Sequence, residues 1–576
     1  MLNLDMARIF DEIAGILELK GENPFRIRAY RRAARTIETL TLDLKVIAER
    51  GGVDELRKIP GVGEGIAKKI VEIAQTGDCE KHRELKREVP EGLLELLSIP
   101  RVGPKTIAKV YQELGIKSVA ELEAAAKAHK LAGLPGLGAK AEENILKGIE
   151  QYRSYKGRAL LSNALPYAES IVNELKKLDA VERITVAGSL RRMRETIGDI
   201  DILVVSKRPK EVMDAFTTLD GVEDVLAKGE TKSAVIIRGI NADVRVVDAA
   251  SFGAAAHYFT GSKQHNIRIR ELGVKKGLKI NEYGVFRGEE RIGGENEEDV
   301  FASVGLPYIP PELREDRGEI EAAKENRIPQ LVEVSDLKGD LHVHTKWSDG
   351  KNRVEDMADL AIGLGYEYIA VADHSPAVGI AGGLTEDELA PRREEIVKAN
   401  ERFEVEGTPF RIFAAVEVDI KSDFSLDFLD AILKDFDLVV GAIHTKFTQD
   451  RETMTRRIVG AMENPNVDII AHPTGRLLGK RDPYEVDMEQ LMETAKETGT
   501  ILELNSFPDR LDLNDLHCKM AKEHGVLVAI STDAHDALQM RDVIRYGVAT
   551  ARRGWLEAKD VVNTRGLKDF IKVLKG

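Results

Sequence analysis

Five short apolar runs in the second half of the chain end on or beside an imidazole or a carboxylate: YIAVADH, RIFAAVEVD, LVVGAIH, VDIIAHP and LVAISTDAH. Short apolar runs between helix-patterned stretches read as buried parallel strands. Their last residues fall where strand gives way to loop. In a βα repeat those ends gather on one face. Residues 340–576 alternate strand-like and helix-like segments, so a barrel-like domain is expected, with the polar residues converging on one rim. The set comprises His342, His344, Asp349, Asp373, His374, Glu417, His444, His472, Asp533 and His535, and six of the chain's 12 histidines belong to it. Imidazole and carboxylate without thiolate suit zinc, manganese or iron. The pattern predicts a multinuclear metal hydrolase.

At 576 residues the chain exceeds one hydrophobic core, so several domains are expected. Its 43% hydrophobic and 32% charged content is that of a soluble globular protein. Nothing approaches the roughly 20 apolar residues of a membrane span. The opening MLNLDMARIFDEI reads as an acidic amphipathic helix, not a signal peptide. Two lone cysteines, Cys79 and Cys518, fit a reducing compartment, and a cytoplasmic location is expected. The net charge of -14 argues against nucleic-acid binding by bulk charge. Charge is segregated, however: FRIRAYRRAAR at 25–35 carries five arginines and no acid.

Residues 1–150 read as short helices joined by three similar turns, IPGVGEGIAKKI, IPRVGPKTIAKV and LPGLGAKAEENI. Glycines there let backbone N–H groups approach a phosphate, and the helix that follows favours the anion. Such helix-hairpin-helix turns grip the backbone and read no base sequence. Gly61, Gly63, Gly103, Gly136 and Gly138 are the expected DNA contacts. Arg101 stands where the second turn would have its first glycine. Arg26, Arg28, Arg31, Arg32 and Arg35 share one helix beside the first turn, and a DNA 5′-phosphate pocket is expected there.

Residues 158–310 mix strand-like and helical segments. ITVAGSLRRMRETIGDIDILV places a Gly188-Ser189 turn ahead of a strand carrying Asp199 and Asp201. Residues i and i+2 of a strand share a face. Two carboxylates held together repel unless a cation lies between them. Asp243, in NADVRVV, supplies a third from a neighbouring strand. Three carboxylates around two divalent ions suit in-line nucleotidyl transfer. His82 and His129, in charged helices, are expected to be solvated.

Gly188-Ser189, Asp199, Asp201 and Asp243, with HYFTGSKQHNIRIREL at 257–272, resemble the family X DNA polymerases. The resemblance implies that Tyr258 and Phe259 screen the sugar, with Gly261 and Ser262 in the same turn. It implies that Asn266 faces the incoming base, that Arg270 contacts the template, and that Arg192 with Ser189 clamps the triphosphate. Lys263 is also within its nucleotide segment. NPFRIRAYRRAA and IPGVGEGIAKKI resemble that family's lyase-type helical domain and put Lys69 at its Schiff-base position. DLHVHTKWSDG, VADHS, AAVEVDI, GAIHTKF, AHPTG and STDAH resemble the PHP domain, as joined to bacterial and archaeal family X polymerases. That likeness implies nine ligands: His342, His344, Asp349, His374, Glu417, His444, His472, Asp533 and His535. It implies three metals. His342, His344, Glu417 and Asp533 would hold one, Glu417, His444 and His472 a second, and Asp349, His374 and His535 a third.

The expected fold is multidomain α and α/β. It comprises a lyase-like helical domain (1–85), a helix-hairpin-helix domain (86–155), a nucleotidyltransferase palm (156–255), a nucleotide-selection subdomain (256–315), a linker (316–337) and a distorted (β/α)7-like PHP barrel (338–576). The resemblance implies a monomer that fills short gaps in DNA with two Mg2+ or Mn2+. Gapped or nicked duplex and deoxynucleoside triphosphates are its expected partners. It also implies a 3′–5′ exonuclease with up to three Zn2+ or Mn2+, and abasic-site or lyase cleavage beside it. The alternative is a nucleotidyltransferase fused to a PHP small-molecule phosphoesterase.

Overall fold

The computed structural model describes residues 3–38, 44–59, 61–97, 99, 102–155, 157–377 and 382–574. The chain divides into two compact units, Met1–Gly157 with Gly479–Arg481, and Arg158–Leu478 with Asp482–Gly576.

Helices make up the first unit. Asn3–Leu19 carries Met6, Phe10, Ile13 and Leu17 three or four residues apart, which puts all four on one buried stripe against Pro24–Glu38. Burying a side chain such as Phe10 stabilises by roughly 2–3 kcal/mol. Leu96, Ile107, Val110, Leu122, Leu131 and Ile145 form a second cluster further along the chain. The three sequence-alike turns are built alike. Val62, Val102 and Leu137 donate their N–H to the carbonyls of Ile59, Ile99 and Leu134 at 3.0, 3.2 and 2.9 Å. The carbonyls of Gly63, Gly103 and Gly138 then receive Ile66, Thr106 and Ala141 at 3.0, 2.9 and 2.8 Å and open a helix each. Pro60, Pro100 and Arg101 lie outside the described residues, as does the side chain of Arg35. His82 is not solvated as expected. Its Nδ1 lies 2.7 Å from Asp78 and its Nε2 2.9 Å from Glu12, because the packed first helix turns Glu12 onto it. His129 has the exposed side chain expected of it, though Nδ1 reaches Glu142 at 3.0 Å.

In the second unit, five strands form one sheet in the order Arg183–Val186, Asp199–Val205, Ile240–Val247, Lys232–Ile237, Val222–Lys228. Ile200, Ile202, Ala242 and Val244 face the core and alternate with polar residues on the other face. Helices Phe252–Thr260 and Lys263–Lys275 follow, with a three-stranded antiparallel sheet closing on Ile269, Val285, Phe301 and Ile309. The connecting segment 316–337 packs Ile320, Ala323, Leu331 and Val332 into apolar cores and carries the helix Glu319–Lys324.

The remainder is a nearly closed parallel sheet of seven strands: Gly339–Val343, Tyr368–Val371, Arg411–Asp419, Leu438–Ala442, Ile469–Ile470, Ile501–Asn505 and Val528–Ser531. Almost every residue in them is buried, because helices cover the outside and side chains fill the inside. A bridge between Val343 and Ala534 joins first to last. All strands run the same way, so their carboxyl ends share one rim.

Candidate metal centres and nucleotide site

That rim receives the imidazoles. His342 ends within the first strand and His344 just past it; His374, His444, His472 and His535 follow the ends of four others, and Glu417 lies in the third. The two carboxylate oxygens of Glu417 face different groups. Oε2 lies 2.8 Å from His374 Nδ1, 3.5 Å from His342 Nε2 and 3.7 Å from His344 Nε2. Oε1 lies 3.1 Å from His472 Nε2 and 3.3 Å from His444 Nε2. His344 is two-sided as well, with Nε2 3.1 Å from Asp533 and Nδ1 3.8 Å from Asp349. His535 Nε2 lies 3.2 Å from Asp349.

Three groups have ligand atoms all within 4.8 Å of one another: His344, Asp349, His374 and His535; His342, His344 and Asp533; His374, Glu417 and His444. The expected partition differs in detail. His344 also faces the Asp349 group, and His374 also faces Glu417. His472 reaches the cluster through Glu417.

The residues fit cations. Among the described residues, His344 Nδ1 is buried without a hydrogen-bond partner, and Glu417 Oε2 and His374 Nδ1, though 2.8 Å apart, are likewise buried and not aligned for a hydrogen bond. Such atoms cost about 1–3 kcal/mol each unless something binds them. Burial raises the Glu417 carboxyl, but His374, His444 and His342 outweigh it and hold it well below the carboxylate range. His344 is pushed down to about 4 by burial, then by His535 and His374. Its imidazole is therefore neutral near neutral pH and has a lone pair to offer a cation.

Sequence reading missed the groups that aim these imidazoles. Glu503 Oε1 sits 2.7 Å from His342 Nδ1, and Asp419 Oδ1 3.2 Å from His444 Nδ1. A carboxylate on the far nitrogen fixes the tautomer and turns Nε2 inward. Their signal was present: each is an acid within a strand-like run, ILELN and VEVDI. Asp373, in the initial set, is turned aside: its carboxylate receives Arg392 Nε at 2.8 Å and Thr345 N at 2.7 Å.

In the five-stranded sheet Asp201 pairs directly with Asp243, and Asp199 is two residues up the same strand. All three lie on the polar face. Burial, then repulsion from Asp199 and Asp243, pushes Asp201 up to about 7. Lys232 Nζ lies 3.1 Å from Asp243 and offsets part of that repulsion. A proton on Asp201 or a divalent cation among the three relieves the rest. Gly188 has φ +64°, and a Cβ there would lie 2.2 Å from Asp201 Oδ2, so only glycine lets the turn approach the carboxylates. Ser189 follows in the same turn and is half-buried.

Arg192 is buried, with Nε 3.0 Å from Glu315 Oε1 and Nη1 on the Thr260 carbonyl. Tyr258 and Phe259 stack edge to face at 5.1 Å, and Arg245 lies over the Phe259 ring. Asn266 Nδ2 donates to the Tyr258 carbonyl at 2.7 Å, while its Oδ1 is buried without a partner. Gly261 lies in the turn after them, and Ser262 caps the next helix by accepting the His265 N–H. Lys263 and Arg270 are exposed on that helix.

In the helical unit a cavity of about 390 Å³ is lined by Arg32, Arg57, Lys58, Gly61 and Gly63. Arg57 and Lys58 were absent from the sequence reading. Arg26 is exposed and pairs with Glu22 at 3.4 Å. Lys69 Nζ donates to the Gly65 carbonyl at 3.1 Å.

These regions match known families. The DNA polymerase beta palm family matches residues 163–261 and its thumb family 255–315. A helix-hairpin-helix domain matches 1–79, a SAM-like helix-hairpin-helix tandem 93–151, and the PHP domain 340–507. Fold and matches together define a family X nucleotidyltransferase joined to a PHP domain. The chain is 40% identical over 576 residues to the "DNA polymerase/3'-5' exonuclease PolX" of Bacillus subtilis (strain 168), covering 99% of each. It belongs to the PolX family. It is also 25% identical over 345 residues to DNA polymerase lambda of Rattus norvegicus, 54% of this chain and 56% of that one. A "probable phosphatase" of Thermoanaerobacter sp. (strain X514) matches at 31% over 210 residues, 34% of this chain and 78% of that one. Among the described residues no helix is long and apolar enough to cross a membrane.

Proposed function

We propose that the chain is a DNA-directed DNA polymerase that fills short gaps, with a 3′–5′ exonuclease in its PHP barrel, serving DNA repair. The observation that carries the polymerase reading is the register of Asp201 against Asp243 with Asp199 beside them. Two Mg2+ or Mn2+ among those carboxylates, and up to three Zn2+ or Mn2+ among the nine barrel ligands, would lower the pKa of the attacking hydroxyl or water and neutralise charge on the phosphate. This chain's own residues do the rest. Asp199, Asp201 and Asp243 orient the primer end and the triphosphate. Gly188-Ser189 and Arg192 hold the triphosphate, and Tyr258 and Phe259 exclude a ribose hydroxyl. Glu417, placed between two sets of imidazoles, would help hold the barrel's ions through both of its oxygens, and the three hairpins hold gapped duplex by its phosphates.

The probable phosphatase relative favours a second reading, in which the barrel hydrolyses a small phosphomonoester. The whole-length PolX relative, whose name joins polymerase to 3′-5′ exonuclease, favours DNA. A gapped-duplex assay decides. Asp199→Ala should abolish synthesis and leave 3′ trimming, and His344→Ala should do the reverse. Synthesis surviving Asp199→Ala would overturn the palm assignment. A barrel active on a phosphomonoester but not on labelled DNA would overturn the exonuclease.

A further inference from the structure

The carboxylate on Arg192 comes from the last residue of the polymerase-type regions. Glu315 ends the stretch matched to the polymerase thumb and begins the chain's passage to the barrel. It sits among three guanidinium groups. Arg192 Nε lies 3.0 Å from Oε1, Arg194 Nη1 3.6 Å from Oε2, and Arg553 Nη1 3.0 Å from Oε1. Arg553 closes the barrel's long helix Ala537–Arg553 and is buried. The same Nη1 also donates to the Arg192 backbone carbonyl at 2.7 Å. Its Nη2 is anchored 2.7 Å from Asp515, which also receives Arg317 at 2.9 Å. Burial raises the Glu315 carboxyl, but Arg553 and Arg192 outweigh it, so it stays ionised.

This arrangement leaves Arg192 poised. Glu315 takes Nε and the Thr260 carbonyl takes Nη1, so two of its three nitrogens are anchored. Among the described residues its Nη2 has no hydrogen-bond partner. A guanidinium is a planar fork, so fixing two nitrogens fixes where the third points. A mobile arginine would have to be ordered on binding, and removing that cost is preorganisation.

We propose that Glu315 is a positioning residue for the incoming nucleoside triphosphate, and that the PHP barrel, through Arg553, is part of the polymerase's nucleotide site. The barrel holds Glu315, Glu315 holds Arg192, and Arg192 presents Nη2 to the triphosphate. The inference rests on the reading of Arg192 as the triphosphate clamp. It goes beyond that reading in making the exonuclease domain a structural half of the synthetic site.

The experiment measures equilibrium binding of dNTP to full-length enzyme on gapped DNA with a dideoxy-terminated primer in Ca2+, then steady-state gap filling with an extendable primer. Wild type must bind dNTP and extend; if it does neither, the polymerase reading fails and the inference falls with it. Given that, Glu315→Ala should weaken dNTP binding and raise KM about ten-fold or more, with kcat changed far less and 3′ trimming unchanged. Glu315→Gln, which keeps an acceptor oxygen, should recover part of the loss. Arg553→Met should shift dNTP binding in the same direction. In an Arg192→Ala background, Glu315→Ala should add nothing, since the two act as one unit. Unchanged dNTP binding in Glu315→Ala would overturn the proposal. So would additivity with Arg192→Ala, or a parallel fall in kcat, trimming and thermal stability, which would mark a merely structural salt bridge.

Discussion

Replacing Asp201 by asparagine separates what the three palm carboxylates cost the fold from what they do. The folded protein raises Asp201 from 3.8 to about 7, first through burial and then through Asp199 and Asp243. One unit corresponds to 1.36 kcal/mol, so the ionised form costs about 4 kcal/mol relative to the unfolded chain. The sign follows from which state holds the proton. Below 3.8 both states hold it and nothing is lost. Between 3.8 and 7 only the folded state holds it, so stability falls as pH rises. Above 7 the whole penalty is present. Asparagine never ionises. Without divalent ions, Asp201→Asn should therefore stabilise by roughly 1–2 kcal/mol at pH 5 and by about 4 kcal/mol at pH 8. At pH 8 this is a rise in melting temperature of roughly 5 °C for a unit of this size. Millimolar Mg2+ should narrow the gap by stabilising wild type alone, because a cation does for the carboxylates what the proton did. Thermal melts with EDTA and with Mg2+, from pH 5 to pH 8, read both effects. A gain flat with pH, or a wild type indifferent to Mg2+, would refute a crowded, cation-seeking carboxylate cluster.

Gly188→Ala forces a Cβ to within 2.2 Å of Asp201 Oδ2 at a positive φ, so gap filling should fall at least about 100-fold while 3′ trimming is untouched; equal loss of both would refute a local effect. Glu503→Gln weakens the acceptor that orients His342, and metal affinity measured by chelator competition should drop roughly 10- to 100-fold. Unaltered affinity would show that His342 needs no such support. Arg392→Leu strips the buried Asp373 of its guanidinium and should destabilise by roughly 3–5 kcal/mol in melts, with Asp373→Asn restoring part. A double variant no better than the single would refute the uncompensated charge as the cause.

Much of this protein was legible because its chemistry is tied to periodicity. A parallel strand buried on both faces announces itself as an unbroken apolar run, and YIAVADH and LVVGAIH place an imidazole at the strand's end by pattern alone. Asp199 and Asp201 needed only the two-residue period of a strand. Three alike glycine turns became three alike hydrogen-bond patterns, since those bonds run between residues three apart. Tertiary structure alone decided whatever depends on closing long loops. The register that puts Asp243 against Asp201 joins strands about 40 residues apart, and Glu503 meets His342 only because the barrel curls back on itself. The sharing of His344 and His374 between ligand groups follows from packing six imidazoles around one rim. The last case is Glu315. In sequence it is one acid in a charged connector, and in space it is the carboxylate to which a palm arginine and a barrel arginine are both bound. Local pattern says which residues face the same way. Only the fold says which of those faces meet, because a charge's partner is chosen by proximity and desolvation, and neither is written along the chain.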